Sequence, residues 1–412
     1  MTARIGVDTI ELVEELYPRF KQDDAAIERY RASLEQLPPI VVARGGILVD
    51  GFHRWQAHRK EGATTVEVED LGDIPDAEIL RESIRRNATH GQQLAIADKR
   101  RLAGKLWLMA FADLPGPARM AEVASLLSVS ERSVERWTQE ARKYEKQLQR
   151  ERAWDLWLNC FSYRQIAEQI GVDDTTVAEW CAGFATDVGN PAPDPLPHAD
   201  VWTFGKAADE GDGSHFGRMP AQAVENLLWL YTEPGEIVVD PFAGGGTTIE
   251  VAKRMCRRVW ASDLSPGNPL LPIHEHDIAA GWPEAAPKKA SLILLDPPYW
   301  KQAKGRYSKN PRDLGNMSYE DFLAAWEATV AACVSHLEKG GRLAFIVGST
   351  LEKQRPINHA DDMIPACRNA GLEVRQRIIV PYTSEQLNGN LVTLARDGRY
   401  LLATYRDLVV LG

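Results

Sequence analysis

Cysteine is scarce in this chain. Five residues in 412 (Cys160, Cys181, Cys256, Cys333 and Cys367) form no C-x-x-C pair and are odd in number. That pattern excludes a disulfide framework and a zinc finger or ribbon, and it reads as small buried hydrophobes in a reducing compartment. No metal is expected. His274 and His276 read as packing or surface residues, because no third ligand lies near them in sequence. Positive charge is not in excess either. Lys and Arg total 48 against 58 Asp and Glu, a net charge of −10. This excludes a protein that coats nucleic acid nonspecifically and leaves room for a local basic face. No apolar run approaches the ~20 residues that a membrane span needs. The opening "MTARIGVDTIELVEELYPRF" sets acids among its apolar residues, unlike a signal or transit peptide. The expected location is cytoplasmic, with no membrane partner.

What is present is punctuation that divides the chain. "DVGNPAPDPLPHAD" (Asp187–Asp200) carries four prolines and no apolar periodicity, and reads as an extended linker. Before it, a helical stretch ending near Leu37 leads into "IVVA" and "ILVD", two short strands joined at Gly45–Gly46. A helix "HRWQAHRKEG" ending at Gly62 and an alternating strand "TTVEVEDL" follow, making a small α+β unit. Four regions are expected: 1–95, 96–186, a linker 187–200, and 201–412.

Residues 96–186 contain an internal repeat. "VASLLSVSERSVERW" (Val123–Trp137) aligns without a gap on "IAEQIGVDDTTVAEW" (Ile166–Trp180). Ala124 meets Ala167, Val134 meets Val177, and Trp137 meets Trp180. In each copy a short helix with an inward alanine is followed by a tight turn, and Ser130 or Asp173 stands where an N-cap opens a second helix. This is the pattern of a helix-turn-helix, of which the alternative is a pair of αα-hairpins that only pack. Under the DNA-reading alternative, Glu131, Arg132, Ser133 and Arg136 line the first recognition helix. Asp174, Thr175, Thr176 and Glu179 line the second, a set less suited to phosphate.

Beyond the linker, strands and helices alternate, which argues for a mainly parallel sheet with helices on both faces. "LVTLARDGRYLLATYR" reads as two antiparallel strands around an Asp397–Gly398 turn. "EIVVDPFAGGGTT" (Glu236–Thr248) runs an apolar strand into a Gly-rich loop and a helix. It has neither G-x-G-x-x-G nor the P-loop lysine, so a pyrophosphate ligand is disfavoured. The next strand ends at Asp263, ~20 residues on, where an acid suits a ribose diol. Asp277 in "HEHDIAAGW" is placed to meet an adenine amino group. The set points to an adenosine cofactor lacking phosphates. "LLDPPYW" (Leu294–Trp300) ends a buried strand on an acid, two prolines and two aromatics. An exocyclic amine is a poor nucleophile because its lone pair is delocalised into the ring. Two acceptors for its N–H groups, the Asp296 carboxylate and the Pro297 carbonyl held rigid by Pro298, make the nitrogen more electron-rich. Tyr299 suits stacking on a base that has left the duplex. The following "KQAKGRYSKNPRDLGN" (Lys301–Asn316) carries five basic residues and reads as a strand-gripping loop.

"DPFAGGGTT" and "DPPYW" together resemble the amino-group DNA methyltransferases that use S-adenosylmethionine. The resemblance covers roughly residues 198–412, with the Gly-rich loop preceding the catalytic motif in a permuted order. It implies a Rossmann-like α/β domain with a C-terminal antiparallel hairpin. Asp296, Pro297, Pro298 and Tyr299 are implied to be catalytic. Phe216 (in "SHFGRMP"), Asp240, Pro241, Phe242, Gly244, Gly246, Thr247, Thr248, Asp263 and Asp277 are implied to hold S-adenosylmethionine. Lys301, Lys304 and Arg306 would grip DNA. "LVDGFHRWQAHRKEG" and "RRNATHGQQLAIADKRR" resemble the ParB/sulfiredoxin-like domain followed by a helix-turn-helix. This implies CTP as a ligand, with His53–Arg54 standing where ParB has two arginines; the alternative is a structural module whose Arg54 contacts DNA phosphate. The expected protein is multidomain: an α+β module, an all-α helix-turn-helix region, and an α/β methyltransferase. The expected function is site-specific methylation of an exocyclic amine in double-stranded DNA, adenine N6 favoured. Alternatives are cytosine N4 methylation, a ParB-like binding or partition regulator with a non-catalytic methyltransferase domain, and methylation of a guanine amine in RNA. A homodimer is compatible with these features.

Overall fold

A computed structural model describes residues 2–18, 23–89, 94–204, 219–301, 310–352, 355–382 and 389–412. They form two compact units, Met1–Gln149 and Arg150–Gly412. Among the described residues no helix is long and apolar enough to cross a membrane.

The first unit opens on strand β1 (Thr2–Gly6), not on a helix. β1 pairs antiparallel with β4 (Thr65–Asp70), whose Val66 and Val68 are buried. The expected N-terminal helix is confined to α1 (Asp24–Arg31), because Asp23 caps it there by accepting from the Ala26 N–H. β2 (Ile40–Ala43) and β3 (Ile47–Asp50) form the expected hairpin. Its turn places Arg44 and Gly45 at φ 47° and 72°. α2 (Phe52–Lys60), α3 (Asp76–Thr89) and α4 (Ile96–Lys105) follow, and the sheet order is β1-β4-β2-β3.

Both copies of the repeat fold as paired helices. The first is α5 (Gly116–Leu127) and α6 (Glu131–Trp137), and Ser130 Oγ accepts from the Ser133 N–H. α7 (Gln139–Leu158) runs on to the second copy, α8 (Tyr163–Ile170) and α9 (Asp174–Val188). There Ser162 and Gln165 make a reciprocal capping box, Gly171 closes α8 at φ 79°, and Asp173 caps α9.

The division between units falls within α7, not at the proline-rich stretch. The second copy therefore belongs to the C-terminal unit. Its Val177 and Trp180 share one apolar cluster with Trp157 of α7 and with Cys256. Arg258 lies 5.5 Å from the Trp157 ring, and its Nε donates to the Trp157 carbonyl. The proline-rich stretch is tacked down as well. Buried Arg257 donates to Asn190 Oδ1, to Thr232 Oγ1, and to the carbonyls of Thr232, Leu228 and Met255. A buried guanidinium keeps its place only when its donors are satisfied in this way.

Beyond it lie α10 (Ala221–Tyr231), β5 (Ile237–Asp240), α11 (Thr247–Arg254), β6 (Arg258–Asp263), β7 (Ile273–Glu275) and β8 (Ala290–Leu295). Then come α12 (Tyr319–Val334), β9 (Leu337–Gly348), β10 (Thr350–Glu352), β11 (Arg355–Ile357), α13 (His359–Asn369), β12 (Val374–Pro381), α14 (Gly389–Asp397) and β13 (Tyr405–Leu411). The seven-stranded sheet has the order β12-β13-β9-β8-β5-β6-β7. β7, β6, β5, β8 and β9 are parallel, and β13 is antiparallel to both β9 and β12. β8 is buried at every position, as a central parallel strand covered on both faces should be. The expected hairpin around Asp397–Gly398 does not form. Its first half is α14, as the Leu and Ala content of "LVTLAR" favours. The antiparallel pair is built instead from β12 and β13.

Candidate active site

From β5 the sheet order runs to β6 and β7 on one side, and to β8, β9 and β13 on the other. The switch point lies between β5 and β8, and ligands of open α/β sheets bind beyond the strand ends at such a point. β5 ends on Asp240 and β8 stops one residue before Asp296, so both acids flank that crevice. A cavity there is lined by Asp240, Pro241, Phe242, Gly244, Gly245, Thr247, Thr248, Asp263, Asp277, Asp296 and Pro298. Two separate sequence motifs thus share one hollow.

The Gly-rich loop is held by acids rather than by side-chain packing. Asp240 Oδ1 accepts from the Phe242 N–H at 3.0 Å. Asp263 accepts from the Gly244 N–H at 2.9 Å and from the Ser265 N–H at 2.8 Å. Gly244 and Gly246 take φ of 50° and 90°. Gly246 does not line the cavity. It is the left-handed entry to α11, and a Cβ there would clash with Leu271 Cδ1. Asp277 lines the cavity from the β7 side, where Oδ1 caps a short turn at Ala279 and Oδ2 pairs with Arg312 at 3.2 Å.

Burial governs the acids. It pushes the Asp240 carboxyl up to about 7, against hydrogen bonds from Thr248 and Phe242, with nearby Asp263 adding to the rise. Burial also pushes Asp296 up to about 7. The Arg406 cation opposes this, the Asp240 charge adds to it, and the Tyr299 hydroxyl at 3.4 Å from Oδ1 opposes it. Tyr299 is itself buried, with its ring against Gly348. Trp300 is buried beside it, and its Nε1 donates to the Met317 carbonyl.

The DNA-facing expectations divide. Arg132 and Arg136 are exposed on α6, with Ser133 half-buried between them. Thr175 and Thr176 both donate their hydroxyls to Asp173. Arg54 is turned inward, donating to Asp50 at 3.0 Å and to the Pro39 carbonyl. It is therefore not presented to a phosphate. Lys301 pairs with Glu352 and lies 4.3 Å from the Trp300 ring centroid. Phe216, Lys304 and Arg306 lie outside the described residues. Among the described residues no group of three or more His, Cys, Asp or Glu is placed to hold a metal ion.

Two residues near the site were not singled out by the motifs. Arg312 lines the cavity within the basic segment, where only the run of charge marked it. Arg406 is on β13, with nothing in "TYRDLVV" to connect it to "DPPYW".

Comparison with known proteins agrees with the motifs. The N6/N4 methyltransferase family model, described as DNA methylase, matches residues 117–267, a stretch that ends before Asp296. Type II methyltransferase M.BglII of Bacillus subtilis is 37% identical over 67 residues, 16% of this chain and 19% of that protein. Type II methyltransferase M2.DpnII of Streptococcus pneumoniae is 39% identical over 66 residues, 16% of this chain and 25% of that protein. The chain thus spans a quarter or less of these relatives. Among solved structures, a putative DNA modification methylase from Thermus thermophilus in complex with S-adenosyl-L-methionine aligns with TM-score 0.23. It has 20% identity, over 32% of this chain and 50% of that one. A Pnob8-like ParB-N domain aligns with TM-score 0.27 and 12% identity, over 34% of this chain and 70% of that one. The chain carries a region similar to the amino-group DNA methylases.

Proposed function

We propose that the chain transfers a methyl group from S-adenosylmethionine to the exocyclic amine of a base flipped from double-stranded DNA, adenine N6 favoured. The observation that carries this reading is the pairing of motifs at the switch point. The Gly-rich loop after β5 and the Asp296–Pro298 turn after β8 open into one cavity. The donor set fits an adenosine without phosphates. Gly244 and Gly245 leave the cavity floor free of side chains, Asp263 and Asp277 stand on its walls, and Arg312 there is already paired. When bound, S-adenosylmethionine supplies an electrophilic methyl group.

The chain's own residues do the rest. Asp263 holds the loop backbone through Gly244, and Asp277, steadied by the Ala279 N–H and Arg312, would present its carboxylate to the adenine. Asp296 accepts one amine N–H and the Pro297 carbonyl accepts the other, which raises electron density on the nitrogen. Holding that nitrogen in line is proximity catalysis. An acid in place of serine at the head of the motif favours adenine over cytosine. The front part, with exposed Arg132 and Arg136 on α6, brings the enzyme to DNA. CTP binding by the ParB-like module and a homodimeric state belong to the same proposal. The test is methylation of plasmid DNA with labelled S-adenosylmethionine, followed by nucleoside analysis. N6-methyladenine is expected. N4-methylcytosine would move the target, and unlabelled DNA would overturn the reaction.

A further inference from the structure

Arg406 is buried on β13, opposite Gly348 of β9. Its neighbour Asp407 points to the other face of the sheet and pairs with Arg377 at 2.8 Å. Arg406 has no such partner. Among the described residues it makes no ion pair, and its buried Nε has no hydrogen bond. Its guanidinium lies 5.6 Å from the Tyr382 ring centroid. The Tyr382 hydroxyl and the Tyr299 ring both come against the α-carbon of Gly348, where any Cβ would clash with the hydroxyl and meet the ring at 3.2 Å. Tyr299 in turn reaches Asp296. Arg406 thus meets Tyr382, Tyr382 and Tyr299 meet at Gly348, and Tyr299 meets Asp296, which also lines the cavity.

A buried guanidinium without a counter-ion is costly, and a nearby carboxylate is the group that offsets it through space. We propose that Arg406 is a positioning residue for amine methylation: a buried cation that makes no ion pair among the described residues, set beside Tyr382, that keeps Asp296 an anionic hydrogen-bond acceptor in a site too dry to do so alone. The proposal rests on the amine-methylation reading for its consequence and on β13 for its geometry. Gly348 is what lets both tyrosines come close at this point of β9, opposite Arg406.

Asp296 is faced by Arg406 from β13, by Asp240 from β5 and by the Tyr299 hydroxyl from its own turn. The cavity beyond carries Asp263, His276, Asp277, Arg312 and Asp313. In this set Arg406 is the cation whose field favours the Asp296 carboxylate, and Asp240 is an acid opposing it.

The test compares wild type with Arg406→Met, Arg406→Gln and Arg406→Lys in the full chain. kcat/KM for DNA methylation is measured from pH 5.5 to 9.5, and Asp296 is titrated directly by carboxyl 13C NMR, assigned with Asp296→Asn. Both neutral variants should move the acid limb and the NMR titration upward by on the order of one pH unit, about a tenfold loss below the limb that is recovered at alkaline pH. Arg406→Lys should restore most of the wild-type profile. A purely packing role would lower activity evenly at every pH and leave the Asp296 titration in place, and that result overturns the proposal. So does a lysine variant that behaves like methionine. Should one neutral variant fail to fold, the other carries the comparison. If the wild type transfers no methyl group, the reaction reading falls while the Asp296 titration still decides whether Arg406 acts on it.

Discussion

Replacing Asp296 by asparagine should stabilise the protein, and by more as the pH rises. Burial pushes this carboxyl from its ordinary 3.8 up to about 7. In the unfolded chain the group ionises near 3.8, while in the folded chain it holds its proton to about 7. Folding therefore takes up a proton between those values, and stability falls as pH rises through that window. Below about 4 the group is neutral in both states and the term is absent. Above about 7 it is fully expressed. About three pH units at ~1.4 kcal/mol each give about 4 kcal/mol at pH 8, of which somewhat over a third is already lost at pH 5. Asparagine keeps the shape and an amide oxygen and removes the ionisation. The gain of Asp296→Asn over wild type should thus widen by roughly 2–3 kcal/mol between pH 5 and pH 8. Urea unfolding followed by tryptophan fluorescence across that range measures it. A constant difference at all pH values would refute the reasoning, because it would place the carboxyl at its ordinary value. Asp240→Asn should behave alike, and the double variant should gain less than the sum, since the Asp240 charge adds to the rise of Asp296.

Other predictions concern chemistry and targeting. Asp296→Ala should abolish methyl transfer and leave S-adenosylmethionine binding by calorimetry unchanged; normal transfer by this variant would remove the acid from the reaction. Arg132→Ala and Arg136→Ala should each weaken DNA binding and lower the slope of log K against log salt by about 1, which fluorescence anisotropy at several salt concentrations reads. Removing residues 1–149 should leave a folded catalytic unit. Removing 1–190 should not, because it strips Trp157, Val177 and Trp180 from Cys256. Loss of a buried tryptophan alone costs on the order of 3–5 kcal/mol. Equal melting temperatures for the two truncations would contradict this.

The sequence made the floor of the site legible and left its far wall hidden. Asp240, Gly244 and Asp263 could be read because a strand, a tight loop and the next strand are neighbours in the chain as well as in space. Asp296 was legible for the same local reason, a buried apolar run broken by two prolines. The repeat could be read from its caps, and Ser130 and Asp173 do cap. Arg406 was invisible because β13 inserts antiparallel between β9 and β12, a long-range pairing that local pattern does not encode. The same segment misled the reading of α14: an Asp–Gly pair suggests a hairpin, but here it falls where a Leu- and Ala-containing helix ends, and the chain reverses at Arg399 with φ 55°. The pairing of Arg54 with Asp50 was not legible, because a basic residue at a helix start suits phosphate equally well whether it faces outward or toward its own Asp50.

The two copies of the repeat differ at the first turn of their second helix. In the first, Arg132 and Arg136 stand exposed on α6, as a phosphate contact requires. In the second, the first turn of α9 is occupied with itself. Thr175 and Thr176 donate to Asp173, whose carboxyl those bonds hold down at about 2. An anion at that point repels a phosphate and stabilises the helix N-terminus, so the turn favours helix integrity over DNA. The apolar face of the same copy is committed to Trp157 of α7 and to Cys256, and Arg258, on the strand that ends on Asp263, holds the Trp157 carbonyl. A helix pair with its first turn self-capped and its apolar face packed on Trp157 and Cys256 is spent on holding the C-terminal unit together. On the proposed function, recognition of DNA by this repeat would fall to α6, whose Arg132 and Arg136 make no ion pair among the described residues.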